Sequence, residues 1–322
     1  MFNVLLIGIG TTTLSALESL MSKCHVQGVV RNISEDDPVI SLAQQANIPI
    51  FSNTLQREIK SLISKFQPDC VVVSSYNQIL PASLIGMSTF INVHYSPLPQ
   101  YRGRANVNWA IINDEPSAAI TIHKLEPELD AGNILFQQLI PIKFDDTVAD
   151  LYENLNKIQQ QNLGEIVVKA LEGYAGVVQN SNEATYGCTR LPEDGEINWS
   201  DSTTKISSLI RALVSPFPGA YTYFQGKKLL IWKAKPVDKP LTYVGRIPGR
   251  VISISKTEGF IDILTGDSIL RIFEVQFIGE ERTAPANIIK SVKSTFGLHG
   301  SDLLNRIQTL EEEIIKLKEN AK

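Results

Sequence analysis

The sequence predicts an α/β protein in three parts: a Rossmann-like parallel-sheet domain, a small OB-like β-barrel domain and a C-terminal helix. Three observations predict it. Strand and helix signals alternate through the first half of the chain, the pattern of parallel strands joined by crossovers. After residue 219 the chain turns to short β-prone runs separated by turn residues. Finally, Leu303, Ile307, Leu310, Ile314 and Leu317 recur at alternating spacings of four and three, the stripe of an amphipathic helix.

Taken in order, apolar alternation and helical periodicity predict a strand over 3–7, a helix over 13–23, a strand over 26–30, a helix over 39–46, a short strand over 48–51, a helix over 55–66 and a strand over 70–74. Further strands are expected over 90–94, 118–125 and 134–142, with a helix over 104–112 and a long amphipathic helix over 148–171 closing the domain. The run Thr189-Arg-Leu-Pro192-Glu-Asp-Gly195 breaks the pattern with Pro, Gly and charge. The expected division is therefore a first domain over 1–188, a linker over 189–200, a barrel domain over 201–300 and a helix over 301–322. Within the second domain a helix is expected over 203–213 and strands over 220–224, 228–234, 249–255, 260–264 and 269–275. Ser301 is a candidate cap for the last helix, whose stripe serves either docking on its own domain or pairing into a homodimer.

At 322 residues, 43% hydrophobic and 20% charged, the chain is long enough for two cores. No apolar run reaches the roughly 18 residues of a membrane span, and the start lacks the basic region of a signal peptide, so a cytoplasmic protein without a membrane partner is expected. Three cysteines without paired spacing argue against a disulfide framework and a zinc site; no metal is expected. The formal charge of −4 gives no global reason for a polyanionic partner. Locally, Lys227, Lys228, Lys233, Lys235, Lys239, Arg246 and Arg250 stand against the single acid Asp238, either a solvated strand face or a phosphate-binding stripe.

The chemistry concentrates around Asn92-Val-His94. Two residues apart on one strand, the amide and the imidazole project from the same face. Ligands of open α/β sheets bind at such strand ends. The loop Ser96-Pro-Leu-Pro99-Gln-Tyr101-Arg-Gly103 follows, and the turn Leu129-Asp130-Ala-Gly132 comes later. Singly, Asn92 reads as a turn former, Asp130 as a turn acid and His94 as one of four histidines; together with the loop they resemble the signature of the folate-dependent N-formyltransferases. Within that family the similarity leans toward enzymes acting on nucleotide-linked amino sugars, through Arg104-Ala-Asn-Val-Asn-Trp109, and it runs from the first strand to about residue 280.

The resemblance implies transfer of formyl from 10-formyltetrahydrofolate to an amine, with Asn92, His94 and Asp130 catalytic. Such a transfer places negative charge on the former carbonyl oxygen, for which Asn92 and His94 can supply donors. His94 also suits proton transfer near neutrality, with Asp130 pairing with it or relaying the proton through water. The resemblance further places the folate against Tyr76, Asn77, Gln78, Arg104 and the loop Glu126-Pro127-Glu128-Leu129, and the acceptor beside Ser96, Pro99 and Tyr101.

For the acceptor, the expectation is a nucleotide-linked amino sugar, used in cell-surface lipopolysaccharide or polysaccharide synthesis, with no nucleic-acid partner. The segment Arg31-Asn-Ile-Ser-Glu-Asp-Asp-Pro38 is short and acidic where a tRNA enzyme of the family carries a basic insertion, and acidic side chains repel a phosphate backbone. The runner-up is a methionyl-tRNA formyltransferase. From another class, an NADP-dependent oxidoreductase would use Gly8-Ile-Gly10-Thr as a partial dinucleotide fingerprint with Arg31 for a 2′-phosphate, although the third glycine is missing.

Overall fold

The computed structural model describes residues 1–34, 36–298 and 300–320, apart from the side chains of 301, 302, 306 and 320. The chain forms two compact units. The first comprises 1–110, 115–146 and 150–190; the second comprises 111–114, 147–149 and 191–322.

In the first unit the elements run β1 (Asn3–Ile7), α1 (Thr13–Met21), β2 (His25–Val30), α2 (Pro38–Gln45), β3 (Ile50–Phe51), α3 (Gln56–Phe66), β4 (Cys70–Ser74), α4 (Ala82–Ile85) and β5 (Thr89–His94). They continue with β6 (Arg102–Gly103), α5 (Asn106–Ile112), β7 (Ser117–Lys124), β8 (Ile134–Pro141), α6 (Val148–Leu171) and β9 (Tyr186–Gly187). Seven strands make one sheet in the order β3-β2-β1-β4-β5-β7-β8. β1 to β5 are parallel, as the helical crossovers require. The expected parallel-sheet domain is present, and its far side is mixed, with β7 antiparallel to both β5 and β8. Only a loop, the two-residue β6 and the short α5 separate β5 from β7, and the chain folds back beside β5 rather than crossing over.

Local sequence explains the elements. Asp37 caps α2 by accepting from the Val39 amide at 2.9 Å, and Pro38 follows at the first helical position. α3 turns Ile59 and Ile63, one helical turn apart, onto the sheet, where they join Leu5, Ile7, Val30, Val71, Val73, Leu80, Leu84 and Phe90 in the core. Each such side chain contributes roughly 2 kcal/mol by leaving water. α6 lays Leu151, Leu155, Leu163 and Val167 inward along one stripe.

The second unit contains α7 (Thr203–Ala212), capped by Ser202, then β10 (Ala220–Phe224), β11 (Lys227–Pro236), β12 (Val251–Ile254), β13 (Ile261–Leu264), β14 (Ile269–Phe277) and α8 (Gly300–Asn320). Its five strands form an antiparallel, barrel-like sheet in the order β10-β11-β14-β13-β12. Residues 191–200 belong to this unit, and the Ile197 amide donates to the Tyr221 carbonyl at 2.7 Å. α8 begins at Gly300, and the cap expected from Ser301 lies outside the described side chains. Among the described residues no helix is long and apolar enough to cross a membrane.

Candidate active site

β5 presents Asn92 and His94 on one face, and its antiparallel neighbour supplies what the sequence did not announce. In the β5/β7 register Asn92 lies opposite His123 and His94 opposite Thr121. The Asn92 Nδ2 amide lies 3.1 Å from His123 Nε2, while His123 Nδ1 lies 2.8 Å from the Lys124 carbonyl. A carbonyl can only accept, so Nδ1 carries the hydrogen and Nε2 accepts from Asn92. The ring is fully buried, and burial is the main reason its pKa falls to about 4; the carboxylate of Asp130 opposes that shift and His94 adds to it. His123 is therefore neutral over the working range.

The same reasoning assigns His94. Its Nε2 lies 2.9 Å from the Tyr101 carbonyl, so Nε2 carries the hydrogen and Nδ1 the lone pair. The Asn106 amide also reaches Nε2 at 2.9 Å, and its Oδ1 is otherwise buried without a partner. With Nε2 a donor, Oδ1 is the Asn106 atom that belongs toward it, and turning the amide over brings it there. Asp130 sits between the two histidines, 3.7 Å from His94 Nδ1 and 3.7 Å from His123 Nε2. That is too long for a hydrogen bond and close enough for the carboxylate to stabilise a positive charge that arises on either ring.

The loops that aim these groups are tied down from beneath. Gly103 donates its amide to Asp130 Oδ2 at 2.9 Å, bringing the two motifs together. Arg102, fully buried, donates to Glu128 and to Gln179, both at 3.0 Å, and Gln179 in turn donates to the Asp130 and Gly132 carbonyls. A Cβ on Gly132 would stand 1.9 Å from the Lys124 carbonyl, so only glycine lets the turn close. Ser75, Tyr101, Ala105 and Asp130 all adopt left-handed backbone conformations. Four such non-glycine residues in the loops around one strand end mark stored strain, as functional loops commonly do.

The expected folate-side residues fall on the segments after β4 and β7, the neighbours of β5 on either side. Tyr76 is half-buried with its hydroxyl on the Thr54 carbonyl, and Asn77, Gln78, Glu126, Pro127, Glu128 and Leu129 are exposed. Arg104 is exposed and donates through Nη2 to the Asn77 carbonyl, joining two expected segments. Of the acceptor-side residues, Ser96 is buried and donates to the Gln100 carbonyl at 3.0 Å, and the Tyr101 hydroxyl donates to Glu115. Both line a cavity of about 80 Å³ with Asn106 and Leu139; Pro99 is not among its lining residues. His123 and Asn106 went unnoticed in the sequence, where His94 stood as the one imidazole near the site. Thr121-Ile-His123 shares a face with alternating spacing, but its relevance required knowing which strand lies beside β5.

The glycine turn is structural. Arg31 donates to the carbonyls of Gly8 at 3.1 Å and Gly10 at 3.2 Å and pairs with Asp37, so its guanidinium is committed inside the fold. A Cβ on Gly8 or Gly10 would meet Thr13 at 2.3 Å or Ser75 at 2.6 Å. The turn is packed by its own protein, which removes the basis of the oxidoreductase alternative.

Comparison with known proteins gives the family. Residues 16–167 match the formyl transferase family and residues 191–293 match the formyl transferase C-terminal domain. A methionyl-tRNA formyltransferase from Alkaliphilus oremlandii is 34% identical over 251 residues, covering 76% of this chain and 79% of that one. One from Caldanaerobacter subterraneus subsp. tengcongensis shows the same identity and coverage. The solved N-formyltransferase of Helicobacter canadensis, in complex with folinic acid and dTDP-3-aminofucose, is 21% identical with a TM-score of 0.62, covering 84% of this chain and 98% of that one, a likeness of fold.

These relatives correct the expected acceptor. A nucleotide-linked amino sugar, a role in lipopolysaccharide synthesis and the exclusion of nucleic acid all conflict with homologues named for methionyl-tRNA. In the segment that carried the sugar-enzyme likeness, Asn106 holds His94 and Trp109 donates to the Cys188 carbonyl at 2.9 Å, so these two side chains are engaged within the protein. In the acidic segment, the Asp37 carboxylate is buried, capping α2 and paired with Arg31, which takes that one charge off the surface, while Asp36 stays exposed. The chain belongs to the formyl transferase family and is an N-formyltransferase.

Proposed function

We propose that this chain transfers formyl from 10-formyltetrahydrofolate to the amino group of methionyl-tRNA. The observation that carries this reading is 34% identity across 79% of the length of a methionyl-tRNA formyltransferase, joined to the convergence of Asn92, His94 and Asp130. The folate supplies a formyl group already activated on nitrogen. As the amine adds, the formyl oxygen gains negative charge, and the Asn92 amide donates to it. His94 Nδ1 takes the proton the amine sheds and returns it to the departing folate nitrogen. Asp130, 3.7 Å away, stabilises the imidazolium in between.

The folate fits what is present. Residues 77–79 and 126–129 are exposed on both flanks of β5, and Arg104 presents a charge beside Asn77. On the RNA side, a β-bulge between Ile231 and Ala234 resets the alternation of β11, so that Lys233 and Lys235 are exposed along with Lys227. Exposed lysines on one strand suit a phosphate backbone. The cytoplasm, where charged tRNA is made, is the compartment for such a reaction.

The test is direct. The purified protein is given the formyl donor with charged initiator tRNA or with a panel of amino-sugar nucleotides. Formyl-methionyl-tRNA is the expected product. Consumption of an amino sugar with the charged tRNA untouched would sink the reading.

A further inference from the structure

We propose that His123 is a positioning residue for formyl transfer: a neutral imidazole, locked in one tautomer, that takes one hydrogen of the Asn92 amide and so aims the other at the formyl oxygen. The proposal rests on formyl transfer at this site and is independent of the acceptor.

A primary amide in a strand can turn over about its last torsion, exchanging its NH2 and oxygen ends at little cost. Only the NH2 end can stabilise an oxyanion; the oxygen end would repel it. Something must choose, and His123 Nε2, 3.1 Å from Asn92 Nδ2, is an acceptor in the position to do so. Nε2 is an acceptor only because Nδ1–H is spent on the Lys124 carbonyl at 2.8 Å. With one amide hydrogen held there, the second is fixed in the amide plane, and no reorganisation is needed when charge develops.

Charge state matters equally. A protonated His123 would donate from both nitrogens, reject the Asn92 N–H and draw the amide oxygen toward itself. The groups facing the ring are the Asp130 carboxylate at 3.7 Å, which favours protonation, and the His94 ring, edge-on at 6.2 Å, which opposes it, as does the charge of Arg102. Full burial decides the balance for the neutral ring and leaves Asp130 to serve His94. The two histidines thus divide the work: one exchanges a proton, and the other is kept from doing so.

Kinetics of the full chain test this. His123→Leu removes the acceptor, and His123→Gln restores one, with an amide oxygen near the place of Nε2. Losing the acceptor should lower kcat by about ten- to a hundredfold while KM for donor and acceptor stays within about twofold. His123→Gln should recover most of that loss. If His123 acts through Asn92, then His123→Leu placed on top of Asn92→Ala should cost less than about twofold more. A purely structural histidine would instead give losses that multiply, and multiplication would overturn the proposal, as would wild-type kcat in His123→Leu. Should His123→Leu not fold, 15N-histidine NMR of the unaltered protein decides. The neutral Nδ1–H tautomer should persist to about pH 5, whereas titration near the ordinary histidine value or an Nε2–H tautomer would overturn it. An unaltered protein that formylates no acceptor would count against the proposed function, and the NMR result would still judge His123.

Discussion

Asn92, His94 and Asp130 meet around the two buried imidazoles, and the proposed transfer uses all three together. Replacing any one by Ala should lower kcat about a hundredfold or more with little change in folate or acceptor binding, because the charges they serve exist only along the reaction path. Double replacements should lose less than the product of the single losses; full multiplication in steady-state assays would show three independent roles. Arg104 is anchored to the Asn77 carbonyl, and if that segment holds the folate as proposed, Arg104→Ala should weaken folate binding more than acceptor binding in separate titrations. His123 also leaves a signature in stability. Its folded pKa is depressed to about 4, so between the ordinary histidine value and about 4 the unfolded chain binds more protons than the folded one. Its contribution is therefore complete near neutrality and is lost as pH falls through that window. Denaturant unfolding across it should show the loss in the parent and a smaller one in His123→Gln.

At the level of elements, the strands and helices were legible because each carries its own periodicity. β1, β4, β10 and α6 begin and end where the apolar pattern does. The direction of β7 was not legible, since strand direction is a property of the connection and of the neighbour chosen, not of the strand's own residues. That single choice brings His123 to Asn92. The turn before β8 depends on Gly132, and Gly132→Ala should push the Lys124 carbonyl away, displace Asp130 and lower activity with a stability loss of about 1–3 kcal/mol. Gly245→Ala, where an added Cβ meets nothing within 4 Å, is the control and should be close to neutral in both readouts.

At the scale of the whole molecule, a net charge of −4 hides a cationic strand. Lys227, Lys233 and Lys235 are exposed on β11, with Lys227 and Lys233 reaching over the rings of Phe277 and Phe273. If these lysines meet tRNA phosphates, replacing Lys233 and Lys235 by Ala should weaken binding and flatten its dependence on salt by about one unit of slope per lysine. An unchanged slope in filter-binding titrations would place the RNA elsewhere. The last helix keeps the spacing predicted for it. Leu303, Ile307, Leu310, Ile314 and Leu317 are all exposed on α8, so the alternative of docking on its own domain is not what the fold displays.

The sequence by itself determined the order of elements, the two-part architecture and the residue types of the proposed reacting centre, because periodicity, turn chemistry and a spaced motif are local properties of a chain. It also contained the Asn92, His94 and Asp130 set, though as members of a recognisable pattern rather than as neighbours in space. Tertiary structure alone decided which imidazole stands behind Asn92, which nitrogen of His94 carries its hydrogen, and that Asp37 and Arg31 spend their charges on each other. The reason is physical. Protonation state, hydrogen-bond direction and effective charge depend on burial and on partners distant in sequence, and folding brings these together only after the local pattern has been read.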